Sequence, residues 1–486
     1  MRLPRIEITA LPALWLVLSF GLSSAGQSDT GGSVAGRVMD GEGRGVSAAE
    51  VLLEDAAAGE HSETVCDLRG NFRFAEVAPG DYTLRVHADG LSEWEADHLT
   101  VGLGTTAYLT ARLAPSWVHR TVLVDAEAAN RRESAAEAAG SRDSLADQVP
   151  NNSGHWSSLA MLFSGSTTGE DGGSSFRGLS PLMNSIGRDG MNNTLAFRSR
   201  ERGTEGNGFA TAQSAVGEIR AGGEGSAGDA AGGVMSTVTK RGANRMHGQG
   251  VFYDRGAIGQ AFNAFSKTMV EEPAGTTVSA SGQPVLYLNG QTVTYVEVPY
   301  HAPDRRQQGE VSAGGPIRRD RLWWFFAWSR HERNDPAVAR ANEPEVFFAP
   351  PSAASLTTLE ARIAASTNPL LKGCPAAGSA GSGSTARAEC AWTTVLGQLN
   401  GMLGTVPRST RQTILFPKIE WRVNPRNQIV AQYNSMRRTA PHGVLGGASE
   451  TDAIGSFGNS STSDDSAVAR WEFFATPRLL SRLSRT

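Results

Sequence analysis

KIEWRVNPRNQIVAQYN, residues 418–434, is the stretch that decides the fold. Lys418, Glu420 and Arg422 alternate with Ile419, Trp421 and Val423. Asn424-Pro425-Arg426-Asn427 then supplies a turn, and Gln428 to Asn434 returns with Ile429, Ala431 and Tyr433 on one face. Successive side chains of a strand point to opposite faces, so this is a hairpin with one side charged and amidic and the other side apolar. That division suits a strand with hydrocarbon on one side and a wet lumen on the other.

Two further stretches repeat the device. Gln307 leads through Val311 and Ala313, Pro316 to Asp320 turn, and Arg321-Leu322-Trp323-Trp324-Phe325-Phe326-Ala327-Trp328-Ser329-Arg330 comes back. Arg470-Trp471-Glu472-Phe473-Phe474 alternates, Thr476-Pro477-Arg478 turns, and Leu479 to Arg485 begins another strand. Trp and Tyr join an apolar ring to a polar edge, which fits a membrane–water boundary. Trp323, Trp324, Trp328, Trp421, Tyr433 and Trp471 are the expected interface aromatics. By composition, the 321–330 run serves a soluble core strand about equally well. A resemblance decides between the two: DRRQQGEVSAGGPIRRDRLWWFF, residues 304–326, is similar to the first barrel hairpins of TonB-dependent receptors of the Oar-like kind. A plugged transporter barrel has about 22 strands of ~10 residues each, and residues 242–486 hold roughly a third to a half of that. The expectation is a fragment, a truncated gene product or an incomplete gene.

Composition agrees with a turn-rich β protein: 56 glycines, with only 19% charged residues. A chain of 486 residues calls for more than one core. The balance of 45 basic against 49 acidic residues, without a single-sign run, leaves no footprint for nucleic acid. At the start, Arg2 and Arg5 precede an apolar stretch from Leu11 to Leu22 and then Ser23-Ser24-Ala25, the order of a signal peptide over residues 1–25, although Glu7 is unusual there. The apolar stretch is too short for a spanning helix, which needs ~20 residues.

Residues 32–115 read as short strands, Val34 to Val38, Glu50 to Leu53, Asn71 to Phe74, Tyr82 to Val86 and Thr106 to Leu113. Asp40-Gly41-Glu42-Gly43, Arg69-Gly70-Asn71 and Pro79-Gly80-Asp81 stand between them as turns. A small sandwich follows, with Tyr82, Leu84 and Val86 on one face. GRVMDGEGRGVSAAEVLLED and DLRGNFRFAEVAPGDYTLRVHADG resemble the carboxypeptidase regulatory-like domain, a prealbumin-like β-sandwich that is generally non-catalytic. Residues 116–140, rich in Ala, Glu and Arg, read as a linker with a short strand at Arg120 to Val124.

Residues 141–246 are rich in Gly, Ser, Asn and Arg and show no sustained helical period. SSFRGLSPLMNSIGRDGMNN and AVGEIRAGGEGSAGDAAGGVMSTVTKRGANRMHGQGVFYDR resemble the plug of TonB-dependent receptors, closest to the Oar-like subgroup. The matching positions are Phe176-Arg177-Gly178, Asp189-Gly190, and Ala231-Gly232-Gly233-Val234 running into Thr237-Val238-Thr239-Lys240-Arg241-Gly242. Val234 to Thr239 alternates as a strand whose flanking glycines permit close packing in a confined lumen. Arg177, Arg188, Asp189 and Arg220 would then face polar groups of the barrel wall. The fold implied is mainly β: sandwich, α+β plug, and an incomplete antiparallel transmembrane β-barrel over residues 247–486.

Motifs for chemistry are weak. Gly223-Glu224-Gly225-Ser226-Ala227-Gly228 has the letters of a dinucleotide loop but no buried strand before it and no acid about 20 residues on. There is no H-E-x-x-H pair, phosphate loop or nucleophile elbow, so the chain reads as neither an enzyme nor a metal or cofactor protein. The histidines, His247, His301 and His331 among them, are scattered at sites where solvation suffices. Cys374 and Cys390 can close an oxidised loop, CPAAGSAGSGSTARAEC, leaving Cys66 as a buried apolar residue. The resemblance implies an outer-membrane location, a periplasmic N-terminal domain, lipid as surroundings, an unidentified ligand and an inner-membrane TonB energising complex as partner. No TonB box is recognisable among residues 26–31 or 117–150. The alternative from another class is a secreted or surface β-sandwich for adhesion or carbohydrate binding, which would stay soluble once its signal is cleaved.

Overall fold

The computed structural model describes residues 31–55, 59–115, 122–125, 129–131, 139–141, 166–168, 174–195, 200–202, 209–222, 232–256, 267–273, 286–288, 291–299, 303–341, 347, 349, 351–377, 384–424, 426–445, 449–476 and 479–485. The expected signal peptide, the Gly223–Gly228 stretch, Ala231 and His301 lie outside these residues.

Alternation in the first segment gives β1 (Gly32–Met39), β2 (Glu50–Asp55), β3 (His61–Val65), β4 (Asn71–Val77), β5 (Gly80–His87), β6 (Trp94–Val101) and β7 (Thr106–Arg112). Two more strands, β8 (Val122–Asp125) and β9 (Ala129–Arg131), fall where composition suggests a linker; β8 runs parallel on β6, and β9 runs antiparallel on β7. The sheets run β4-β1-β7-β9 and β3-β2-β5-β6-β8. Between them lie Val34, Val51, Leu53, Phe72, Tyr82, Leu84, Val86, Trp94 and Leu99, all buried. Each such side chain contributes about 1.5–3 kcal/mol, and truncating Leu84 to Ala would cost ~2–5 kcal/mol. Asp67 organises the β3–β4 turn by accepting from the amides of Arg69 and Asn71 at 2.9 and 2.8 Å. Gly70, at φ +80, is required there because a Cβ would stand 2.3 Å from the Val38 carbonyl.

The second unit comprises β10 (Ala139–Ser141), β11 (Ser166–Thr168), β12 (Ser174–Phe176), β13 (Ser185–Arg188), β14 (Met191–Asn192), β15 (Thr194–Leu195), β16 (Arg200–Glu201), β17 (Val216–Gly222) and β18 (Val234–Thr239). Its main sheet runs β10-β17-β18-β13-β14, with β13 and β18 parallel. Among the described residues, its core is formed by Phe176, Ile186, Val216, Ile219, Ala221 and Met235.

The surroundings are a seven-stranded antiparallel sheet. Its strands are β19 (His247–Arg255), β23 (Arg305–Arg318), β24 (Leu322–Asn334), β27 (Ser409–Asn424), β28 (Asn427–Ala440), β30 (Ser460–Thr476) and β31 (Leu479–Arg485), hydrogen-bonded in that order. The intervening numbers belong to β20 (Lys267–Pro273), β21 (Leu286–Leu288), β22 (Gln291–Pro299), β25 (Ala337–Ala339), β26 (Gly404–Val406) and β29 (Ser449–Glu450). Among the described strands the sheet does not close, and β19 and β31 are its edges. One rim carries tight turns, at Arg319-Asp320 and between Asn424 and Asn427. The other rim carries long connections, including helices α1 (Ala353–Ile363) and α2 (Ala386–Asn400), which sequence periodicity did not announce.

Burial alternates along the wall without a break from Thr410 to Trp421 and again from Val430 to Ala440. Its sense is the reverse of a soluble sheet's. Lys418, Glu420, Gln432 and Asn434 are buried on the concave side, while Ile419, Trp421, Val423 and Tyr433 are exposed on the convex side.

Candidate functional site

The second unit sits against the concave side of the wall, and polar groups join the two. Asp189 and Gly190 form the turn between β13 and β14 with φ +50 and +78, a left-handed conformation that Asp tolerates and Gly favours. The turn aims the Asp189 carboxylate at two elements, β18 and β28. It accepts from the Thr239 amide at 2.8 Å, from the Thr239 hydroxyl at 2.9 Å, and from Gln432 Nε2 of the wall at 2.8 Å. Lys418 Nζ, also from the wall, donates to Thr239 Oγ1 at 3.2 Å and pairs with Glu420 at 3.2 Å. Burial alone pushes the Asp189 carboxyl up, but the Lys418 charge, the Thr239 amide and Gln432 together hold it below the usual carboxylate range.

Next to it, Arg188 is 1% exposed. It donates to Thr211 Oγ1 and to Ser466 Oγ of β30, both at 2.8 Å. Glu201 completes this cluster, accepting from Asn193 at 2.9 Å and Thr211 at 3.0 Å.

A third contact is made by the segment 209–215, which has almost no regular hydrogen-bonding of its own. Wall side chains supply it. Glu310 accepts from the Ser214 amide at 2.6 Å, Gln412 accepts from the Phe209 amide at 3.2 Å and donates to its carbonyl, and Asn434 Nδ2 donates to the Ala210 carbonyl at 3.0 Å. Beside these bonds Phe209, Ala212 and Ala215 pack on Phe325, Ala327, Ile414, Phe416 and Met436, an apolar patch inside the otherwise polar concavity.

Of the positions singled out from sequence, Asp189 and Thr239 meet at this junction, and Lys240 is adjacent, with its amide on the Ala215 carbonyl at 2.8 Å. Phe176 instead belongs to the unit's own core, and Arg177 and Gly178 form an exposed turn at φ +54 and +74. Gly232 packs on Asn184, where a Cβ would stand 2.6 Å from its Oδ1, and the Gly233 carbonyl accepts from Ser185 at 2.9 Å. Arg188 and Asp189 do face wall groups. Arg177 is exposed, and Arg220 lies against Gly104 of the sandwich.

Trp421 and Trp471 stand on the convex side, 46% and 47% exposed, with Tyr433 beside them and Trp324 and Trp328 half-buried on the same face. Trp323 departs from its expected place. One residue out of phase with Trp324, it points inward and is 2% exposed. Its Nε1 donates to Asn244 Oδ1 at 2.9 Å, and the Arg422 guanidinium lies 5.4 Å from its ring centroid. His331 also differs from the expected solvated role, being buried with its ring 5.5 Å from that of Phe209. Cys374 and Cys390 are bonded to each other, fastening α2 to the turn after Pro369–Leu371, and Cys66 is buried and free.

Glu310, Gln412 and Ser466 were missed by sequence reasoning. Gln412 lies in the same alternation phase as Lys418, so extending that hairpin six residues back would have flagged it. Nothing in the composition of 209–215 marks it as the segment that docks.

Family comparison bears on the first unit. Residues 33–114 match the carboxypeptidase regulatory-like domain. This regulatory-like domain accounts for the sandwich as far as β7. No curated protein sequence matches the chain. Among solved structures, the chain is similar to the siderophore receptor PirA from Acinetobacter baumannii, with 12% identity, 72% of this chain and 39% of that one covered, and a TM-score of 0.38. A similar likeness is to the ferric enterobactin receptor PfeA from Pseudomonas aeruginosa, with 12% identity, coverage of 70% and 39%, and a TM-score of 0.37. The chain is also similar to a putative carbohydrate binding protein from Bacteroides uniformis, at 16% identity over 17% of this chain and 41% of that one, with a TM-score of 0.16. The chain spans less than half the length of the two receptors.

Proposed function

We propose that the chain is a component of an outer-membrane receptor of the TonB-dependent, Oar-like kind. Residues 1–25 direct export, the regulatory-like domain lies in the periplasm, residues 141–246 are the plug, and residues 247–486 are wall strands with lipid outside and the plug inside. The observation that carries this reading is the inverted burial of β27 and β28. Outward residues from Leu415 to Val423 make a strip of roughly 27 Å at ~3.4 Å per residue, or about 20 Å once the strand is tilted, close to the ~25 Å apolar band of outer-membrane barrels. Above the strip, outward Arg411 and Arg437 pair with Glu332 and Asp465 at 3.1 and 2.7 Å, as groups in contact with water and headgroups do. The tight-turn rim, next to the regulatory-like domain, is periplasmic, and the long-connection rim is extracellular. Ligand passage follows when the plug shifts within the wall, with the inner-membrane TonB complex as the source of work.

The test uses the full chain produced with its leader and reconstituted into vesicles containing bromine-labelled acyl chains. Quenching of tryptophan fluorescence should fall when Trp421 and Trp471 are replaced by Phe and should not fall for Trp323→Phe. Recovery of the chain in the soluble periplasmic fraction, or equal quenching for all three positions, overturns the reading.

A further inference from the structure

The regulatory-like domain is joined to the plug and the wall at one small cluster of charges. β18 leads into β19 through Lys240 to Met246, the stretch by which the plug continues into the wall. On it, the Arg241 guanidinium meets two carboxylates of the regulatory-like domain, Asp55 at 3.2 Å and Glu60 at 3.3 Å. Glu60 also accepts from Arg422, which belongs to β27 and covers Trp323. One carboxylate of the sandwich therefore touches the plug's exit and the wall together. Asn244 ties the same place from the other side, donating to the Gly59 carbonyl at 3.2 Å and to Asp320 of the wall turn at 2.6 Å. A separate contact reaches the plug sheet itself, where the Leu103 amide donates to Glu218 of β17 at 2.8 Å.

We propose that the regulatory-like domain is an electrostatic latch that holds the plug against the wall from below, with Glu60 as the shared catch and Asp55 as its support. The proposal rests on the plug-and-wall reading. Arg241 and Arg422 bring two positive charges to one spot, one on the plug side and one on the wall. With Glu60 between them they attract a common anion; without it their like charges are offset less, with Asp55 and Glu420 still acting on Arg241. Undocking the sandwich therefore does more than remove a neighbour: it takes away both Asp55 and Glu60, leaves Glu420 as the wall carboxylate that acts on Arg241, and so weakens the hold between the plug's exit and the wall. The acids belong to a separately folded domain, so displacement of that domain reaches the plug through this cluster, with no shape change needed elsewhere in the plug.

The experiment is amide hydrogen exchange, read by mass spectrometry on the full chain in detergent, comparing peptides over residues 234–241 with the sandwich core at 82–86. Glu60→Gln should raise exchange at 234–241 at least tenfold and leave 82–86 unchanged. Arg422→Gln in the same chain removes the repulsion, so the double variant should recover most of that protection; two independent structural losses would instead add. Glu60→Asp, which keeps the charge on a shorter arm, should give a smaller rise at 234–241 and covers the case in which Glu60→Gln does not fold. Unchanged exchange at 234–241 in the charge-removing variant, or an additive double variant, overturns the latch. Tryptophan quenching by labelled lipid, measured on the same variants, reports the membrane reading separately: normal quenching with unchanged exchange refutes the latch alone.

Discussion

Removing the carboxylate at Asp189 separates docking of the second unit on the wall from overall folding. In the parent, its oxygens accept from the Thr239 amide, the Thr239 hydroxyl and Gln432 Nε2, all within 3.0 Å, and the Lys418 ammonium stands behind Thr239. Asp189→Asn keeps an oxygen for the Thr239 amide, and Gln432 can turn its own carbonyl toward the new amide. What goes is the charge, and with it the charge-assisted part of each bond. Lys418 retains Glu420 at 3.2 Å, so the loss stays near about 2 kcal/mol. Asp189→Ala leaves the amide and the hydroxyl of Thr239 facing a void and approaches ~4 kcal/mol, the range for breaking a buried charged network. At about 1.4 kcal/mol per factor of ten, these are increases of roughly 30-fold and several hundredfold in local opening. The assay is exchange of the 234–241 amides, with 82–86 as the control for global unfolding. pH supplies a second test. The Asp189 carboxyl titrates below its ordinary value when folded, so its contribution is complete above the unfolded value of about 4 and is lost as pH falls through the lower, folded one. Opening of the parent should accelerate below about pH 4, and the Asn variant should lack that component. An Ala variant within threefold of the parent, or equal loss at 82–86, refutes the reasoning.

The other expectations concern separate parts of the molecule. Glu310→Gln, which weakens the cap on the Ser214 amide, should cost about 1–2 kcal/mol of plug docking, seen as faster cleavage at 209–215 by an added protease. Cys374→Ser with Cys390→Ser should lower the stability of the α1–α2 connection by up to about 3 kcal/mol, the scale for a loop of this length. Proteolysis should then begin within residues 351–403 while the wall peptides stay intact. Burial, with Asp67 nearby, pushes the Cys66 thiol up to about 11, so it should resist alkylation at pH 8 in the folded chain and react at the ordinary rate in urea.

The wall was legible in sequence because period-two alternation survives wherever the two faces meet different solvents. Lys418 to Asn434 shows it in full, and the structure keeps that register along both strands. Trp323 marks the limit of this reading. In the run Trp323-Trp324-Phe325-Phe326 both phases are aromatic, so composition cannot assign a face. The face is set by pairing with Glu420, which lies on the inward phase of β27. The sandwich was legible from its turns as well as its strands, since Gly70 and Asp67 answer to backbone requirements that leave a mark on residue choice. The second unit shows no comparable pattern of its own. Its segment 209–215 draws hydrogen bonds from wall residues up to 224 positions away, a dependence that no local pattern records.

That dependence also fits the proposed shift of the second unit within the wall. An apolar interface of the same extent would lose ~25 cal/mol for every Å² separated, with nothing in water to replace the contact. Amide and carboxylate contacts such as Gln412 with Phe209, or Gln432 with Asp189, are exchanged for bonds to water as the surfaces part, and the net loss is only about 1 kcal/mol for a neutral bond. The sandwich, the second unit and the wall line a half-open cleft of about 1830 Å³, with Asp55, Glu60, Arg241, Lys418 and Arg470 among its residues, so water has a path to the underside of the junction. Geometry is then fixed by many directional bonds, each inexpensive to exchange, and the few charges without easy replacement, Arg241 and Arg422 against Glu60, decide when separation starts.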